Sequence, residues 1–474
     1  MIKDNDCRRV NQLHYSLGNA SMVTIKKILV SVLFSSLLIS ACNEETSLPK
    51  NEDTSLPKDA LQKTQTQPSE VVTSLPEGSV ETVSLGENGW RTVISLNKYD
   101  VLTGSESLLS GDIILAGQSG AFRAGTKNGW IVKINQFGKV EWSYNPKKVG
   151  DQFYSDVSII DKNLIAVGTT KPSSRKAANG NVIHFNPEGK IIREKSFFPP
   201  QLEDSREIIA SNSTEDGNFF LLGNNNISPT FQSHGKLIKI TPEGETLWVK
   251  NINEQEQTHL RGMAATNDGG VLVTGETGSD YPEIPFVTKL DSNGDRQMSF
   301  VLEQNINSSV QGKVQTIEYS PTGILSIDSD IILYGHRSEH GSGKPTQGWI
   351  QRHSADGTLI WSNHFGDEEY HLLWDAIYDS NSKRIVLSGK IQKIREDQIP
   401  RRLDQPWLLS IDFKDGKILS EKVLKRDKSE SLLNVEIWDG KAIYLIGKLP
   451  SESSNVETEG VWVEKHSLKK LLPN

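Results

Sequence analysis

From about residue 82 onward, short apolar runs recur at a nearly constant interval. Each is a strand-length block closed by glycine: IILAG (Gly117), LIAVG (Gly168), FFLLG (Gly223), VLVTG (Gly275), IILYG (Gly335), IVLSG (Gly389) and IYLIG (Gly447). Successive glycines lie 51, 55, 52, 60, 54 and 58 residues apart. After a variable loop, the first six blocks are each followed by an alternating segment, a turn and a second segment. GWIVKINQFGKVEWSY from Gly129 and GWIQRHSADGTLIWSNHF from Gly348 are examples. The turns hold Asn, Pro, Asp and Gly, which suit hairpin turns. The flanking segments are rich in Val, Ile and aromatics, as half-buried strands require. One more strand precedes each apolar block, such as residues 157–160, so every unit offers four strands. Seven such units predict an all-β fold, a seven-bladed β-propeller of four-stranded blades.

The tryptophans predict how the ring closes. Trp142, Trp248 and Trp361 each lie four residues after a turn glycine (Gly138, Gly244, Gly357). Trp90 lies four after Gly86 but has no blade of its own ahead of it. The seventh unit has residues 435–438, IYLIG and GVWVEKH, and then lacks an outer strand. A strand around residues 82–95 therefore completes the last blade by pairing with residues 461–465, which removes two exposed sheet edges. The Trp rings are expected to pack between adjacent blades, where they bury a large area.

Ahead of residue 81 the pattern changes. Lys26-Lys27 precede a 14-residue apolar run, ILVSVLFSSLLISA, ending at Ala41-Cys42. That length is short for a membrane span and fits the core of a signal peptide. Small residues before the cut admit a peptidase, and the thiol immediately after it is the group that takes a lipid. This arrangement resembles the lipobox of bacterial lipoproteins. The resemblance implies residues 1–41 as signal peptide, with Met22 as the expected true start, and a lipid (palmitate-bearing) anchor on Cys42. Asn43, where Asp favours inner-membrane retention, implies the outer membrane, with the protein facing the periplasm or the cell surface. Residues 42–80 repeat Thr-Ser-Leu-Pro three times and are poor in aromatics. Such a segment cannot bury enough apolar area to offset its ordering entropy, so it reads as a flexible tether. The propeller then occupies 81–474.

Charge and cysteine count narrow the function. The formal net charge is −8 over 474 residues. The first 41 residues carry a net +3, which leaves −11 for the rest. An acidic surface repels phosphate backbones, so nucleic acid is not an expected partner. The two cysteines, Cys7 and Cys42, both precede the repeats. The body thus has no thiol nucleophile, disulfide or thiolate metal site.

The Gly-x-x-x-Trp ending of the hairpins is similar to the repeat of quinoprotein-like propellers and of uncharacterised secreted bacterial propellers, over roughly residues 82–466. The quinoprotein dehydrogenases use a vicinal disulfide, which this body cannot form, so no quinone cofactor is expected. Ser354-Ala-Asp356-Gly357 comes near a sialidase box, and Asp291-Ser-Asn293-Gly-Asp295 comes near a calcium loop, but both read better as hairpin turns. The ten histidines form no metal-binding string, and no metal site or other cofactor is expected.

Candidate ligand contacts therefore come from topology. Segments leading into the inner strands converge on the mouth of the central channel. They supply Tyr154, Asp156, His259, Arg261, His371, Trp374 and Asp375. The reading that follows is a lipid-anchored, non-catalytic binding or scaffold module for an envelope protein or surface ligand. Its alternative is a glycan-active lyase or hydrolase with its site at the channel, and no catalytic residue is assigned.

Overall fold

The computed structural model describes residues 79–473 except 88, 96–99, 121–126, 147–149, 161–162, 172–178, 198–204, 215, 228–231, 253–256, 279–282, 303–305, 311–312, 341, 367, 395–401 and 450–459. The signal segment, Cys42 and nearly all of the tether lie outside the described residues. The chain opens with β1 (Ser79–Gly86) and β2 (Gly89–Ser95). Blade 1 is β3 (Val101–Ser107), β4 (Ile113–Ser119), β5 (Asn128–Ile134) and β6 (Val140–Tyr144). Blade 2 is β7 (Asp151–Ile160), β8 (Asn163–Lys171), β9 (Asn179–Phe185) and β10 (Ile191–Phe197). Blade 3 is β11 (Ser205–Ser213), β12 (Phe219–Ile227), β13 (Gln232–Ile240) and β14 (Thr246–Ile252). Blade 4 is β15 (Thr258–Ala265), β16 (Val271–Thr277), β17 (Ile284–Leu290) and β18 (Arg296–Val301). Blade 5 adds a short extra strand, β19 (Ile306–Val310), paired with the start of β20 (Lys313–Ile327), to β20, β21 (Asp330–His340), β22 (Gln347–His353) and β23 (Leu359–Phe365). Blade 6 is β24 (Tyr370–Asp379), β25 (Arg384–Ile394), β26 (Arg402–Asp412) and β27 (Ile418–Val423). Blade 7 is β28 (Ser431–Trp438), β29 (Ala442–Lys448) and β30 (Val461–Ser467), and helix α1 (Leu468–Leu471) follows it.

Every pairing is antiparallel, and each innermost strand touches that of the next blade, with β28 touching β3. The fold is an all-β seven-bladed propeller. Its core is divided into seven apolar clusters, one at each blade–blade interface. This explains the unbroken apolar runs in the sequence. The second strand of a blade is covered by a neighbour on both faces, so both of its alternating sets must be apolar.

Each of the seven innermost strands carries a β-bulge, and each bulge begins opposite the glycine that closes the apolar run. The pairs are Leu102–Gly117, Tyr154–Gly168, Ile208–Gly223, Leu260–Gly275, Pro321–Gly335, Leu373–Gly389 and Leu432–Gly447. At six of these glycines (117, 168, 275, 335, 389 and 447) a Cβ would sit under 3.0 Å from an inner-strand carbonyl oxygen. The repeat keeps glycine there because the bulge folds backbone onto it. The bulges also fasten neighbouring blades. The Thr103 hydroxyl donates to the Tyr154 carbonyl, Ser155 to Ile208 at 2.5 Å, and Thr322 to Leu373 at 3.2 Å.

The outer-strand tryptophans explain the other glycine. Trp142 on β6 lies against the turn Gly189 of blade 2 and donates its Nε1–H to the Pro187 carbonyl at 3.1 Å. Trp248 does the same with Gly294 and Ser292, and Trp361 with Gly416 and Phe413. The turn glycines Gly138, Gly189, Gly294 and Gly416, at positive φ (85° at Gly138, 82° at Gly189), are thus both turn formers and seats for a tryptophan of the preceding outer strand, whereas Gly244 meets Lys195.

Closure at the seam uses the same contact. Trp90 lies against Gly138 of blade 1 and donates to the Gln136 carbonyl at 2.8 Å. Strand β2 pairs with β30 from Trp90–Lys465 to Ile94–Val461. Arg91 bridges Glu464 at 2.5 Å and Glu430 at 2.9 Å, and Arg426 joins the same carboxylates across the Trp462 ring. The structure refines the expected single strand over 82–95. The chain reverses at Gly86 (φ 80°), β2 alone completes blade 7, and β1 lies outside it as a fifth, exposed strand. Helix α1 was not anticipated. It brings Leu468 and Leu472, both fully covered, into the cluster between blades 6 and 7, and Arg384 donates to the Leu472 carbonyl at 2.9 Å.

Because the seam contact matches an interior one, Trp90→Ala and Trp142→Ala should each cost about 3–5 kcal/mol of unfolding free energy, measured by urea denaturation. A Trp90→Ala cost near zero would mean that the ring does not depend on its N-terminal strand.

Candidate functional site

Two places gather functional side chains. The first is around the axis. Glu106 on β3, Asp156 on β7, Asp375 on β24 and Glu436 on β28 lie on the innermost strands of four consecutive blades (6, 7, 1 and 2). They feel one another electrostatically: Glu106 with Asp156, Glu436 with Glu106 and Asp375, and Asp156 with Asp375. Asp156 Oδ2 accepts the Ser211 N–H at 2.8 Å, and Asp375 Oδ2 accepts the Val435 N–H at 3.0 Å. Each also accepts its own following N–H at 2.8 Å. Glu436 accepts the hydroxyls of Ser105 at 3.0 Å and Ser107 at 3.4 Å across the seam. Asp156, Asp375 and Glu436 therefore tie successive inner strands together.

Burial raises all four. Asp156 and Asp375 are pushed up to about 6, partly against the N–H bonds they accept. Burial and the neighbouring Asp156 push Glu106 up to about 8, and burial with Glu106 and Asp375 nearby lifts Glu436 well above the usual range. Glu464 at the seam goes the other way. Burial opposes its charge, but His466, Arg426 and Arg91 outweigh it and hold the carboxyl at about 2.

The residues expected at the channel mouth lie within innermost strands rather than in the loops leading to them. Asp156 and Asp375 are in the axial set. Tyr154 is buried against the ring of Tyr144 between blades 1 and 2. Arg261, the bulge residue of blade 4, grips Glu276 at 2.8 Å, and Glu276 also accepts the Ser320 hydroxyl at 2.6 Å. Trp374, the bulge residue of blade 6, meets His336 edge-on at 4.9 Å. Burial, with Lys390 and Arg261 nearby, lowers His336 to about 4. His259 pairs with Glu283 at 3.1 Å, and His371 packs on Trp407 at 4.8 Å. Among the described residues, no three His, Asp or Glu side chains are grouped as metal ligands. Sequence reasoning missed Glu106 and Glu436. Their signal was a carboxylate inside an otherwise small or apolar inner strand (VLTGSES, SLLNVEIW).

The second place is a cavity of about 560 Å³ at the seam, within the size range of ligand pockets. The other six blades carry a connection from third to fourth strand. Blade 7 has none, because its third strand leads into α1 and its fourth enters from β1. The cavity opens there, between Gly89 and Ser467, walled by Trp90, Phe137, Trp438 and Lys465. Phe137 is 70% exposed, and the fully exposed Leu109 accepts the Trp438 Nε1–H on its carbonyl at 3.1 Å.

No protein-family profile and no curated protein matches this sequence. Solved structures resemble it in shape. The polysaccharide lyase Uly1 is 10% identical, covering 77% of this chain and 90% of its own, with a TM-score of 0.46. A protein of unknown function from Dyadobacter fermentans is 12% identical, over 81% and 98%, with a TM-score of 0.43. The WD40 domain of Neurospora crassa Pan2 is 12% identical, over 68% and 89%, at 0.38. These likenesses assign no activity to the chain.

The axial acids set a pH dependence. The folded state keeps protons that the unfolded chain has already released, so stability falls as pH rises from about 4 to about 8. Glu464 acts oppositely, its contribution being lost only as pH falls from about 4.5 towards about 2. The melting temperature should thus peak at about pH 4 to 4.5 and drop by several degrees at about pH 8.5, with Glu106→Gln flattening the alkaline limb. A melting temperature that rises over this interval would contradict the assignment.

Proposed function

We propose that the protein is a non-catalytic binding or scaffold module, held to a bacterial outer membrane by a lipid on Cys42, that engages an envelope protein or surface ligand through its seam face. The observation that carries the reading is an aromatic-walled cavity with the exposed Phe137 in its wall and the exposed Leu109 bonded to Trp438 of the same wall. Water-exposed aromatic and aliphatic side chains next to a concave pocket are the usual composition of a binding hot spot. By contrast, Asp156, Asp375 and Glu436 are occupied in holding inner strands together, which leaves them poorly placed for acid–base work. The anchor rests on Lys26-Lys27, the apolar run and Ala41-Cys42, and the acidic body argues against nucleic acid.

A second reading, a glycan-active enzyme, draws on one observation: Arg261, with its side chain 48% exposed, and the His336–Trp374 pair near the same end of the axis. It needs Arg261 for turnover, whereas the binding reading does not.

The test is capture from envelope membranes with the full chain, followed by mass spectrometry. A partner held by the wild type should be retained about tenfold less by the Leu109→Asp/Phe137→Asp variant and fully by Arg261→Ala. Equal capture by wild type and the double variant would refute the seam-face reading.

A further inference from the structure

Lys465 is the outlier of the seam cavity. It is 8% exposed, yet it lines the cavity wall. Its ammonium has three donors. It donates one hydrogen bond, to the Gln136 carbonyl at 3.2 Å, and lies over the rings of Trp438 at 4.7 Å and Tyr444 at 5.6 Å. Among the described residues no carboxylate comes within ion-pair distance of it. Asp112 exerts an attraction from farther off but is paired with Lys133 at 3.1 Å. The other charged groups of the rim are engaged: Lys441 with Asp439, and Glu87 with Lys470. A covered cation without a counter-charge is expensive unless something supplies the anion, and burial accordingly pushes its pKa down.

We infer that the seam cavity binds an acidic sugar unit, its carboxylate on Lys465 and its ring against Phe137. This inference rests on the binding role of the seam face and names the ligand class for it. Three features of the cavity select that class. The buried ammonium takes a single negative charge. The exposed Phe137 ring takes the C–H face of a sugar ring. Hydroxyls of Ser84 and Ser467 at the rim meet ring hydroxyls. The volume of about 560 Å³ accommodates roughly two sugar rings. A neutral sugar leaves Lys465 without its counter-charge and is rejected on that ground.

The test titrates the full chain in detergent with digalacturonate and with its carboxyl-reduced neutral counterpart, by calorimetry and tryptophan fluorescence. The acidic disaccharide should bind at least about tenfold more tightly. Lys465→Met should abolish that preference while Lys465→Arg keeps it, with melting curves confirming that both variants fold. Equal binding of the two sugars, binding of neither, or a preference that survives Lys465→Met would overturn the inference. Failure of the sugar titration while Leu109→Asp/Phe137→Asp still abolishes partner capture would leave the seam face as a binding surface with a different occupant. Loss of both results would remove the seam-face role itself.

Discussion

A propeller must close on itself, because each blade is a sheet whose neighbours supply half of its buried surface. Here closure falls on the pairing of β2 with β30, strands that come from opposite ends of the described chain. Without that pairing, blade 7 would have three strands, the cluster between blades 7 and 1 would lose Trp90 and Ile94, and Trp462 would lose Arg91 from one face. Two features make the seam equivalent to an interior interface. Trp90 sits on Gly138 as Trp142 sits on Gly189, and the Arg91–Glu464–Arg426 bridges lie over the joint. At the axis, Glu436 reaches Ser105 and Ser107 across the same joint.

Closure by chain ends also has a consequence for function. Six blades join their third and fourth strands by a connection. Blade 7 does not, and the larger seam cavity opens at that place, lined by Lys465, Trp438 and Phe137. The feature that makes the ring stable therefore also makes one face unlike the other six. This is the physical reason to place binding at the seam rather than distribute it evenly around the rim.

Much of the architecture was legible in the chain. The glycine-terminated apolar runs predicted both the count and the spacing of blades, because a doubly covered strand must be apolar on both faces and a bulge tolerates only glycine opposite it. Trp90 disclosed the closing strand because its spacing from Gly86 copies that of the outer-strand tryptophans. Local pattern failed where long-range contacts decide. The reversal at Gly86 that sets β1 outside the blade, the burial of Leu468 and Leu472, and the fifth strand of blade 5 each depend on partners far along the chain. The axial acids were half visible: Asp156 and Asp375 stand out beside bulges, whereas Glu106 and Glu436 become a group only when the ring brings blades 7 and 1 together. The seam cavity has no sequence signature, since it arises from a connection that the chain lacks.

Hydrogen exchange of the full chain, followed by mass spectrometry, addresses the closure directly. If the seam is an ordinary interface, amides of β2 and β30 exchange only through global unfolding, as slowly as those of β16 in the interior of blade 4. Exchange of β2 and β30 that is orders of magnitude faster than that of β16 would show an open ring, and the account of both closure and cavity would fail with it.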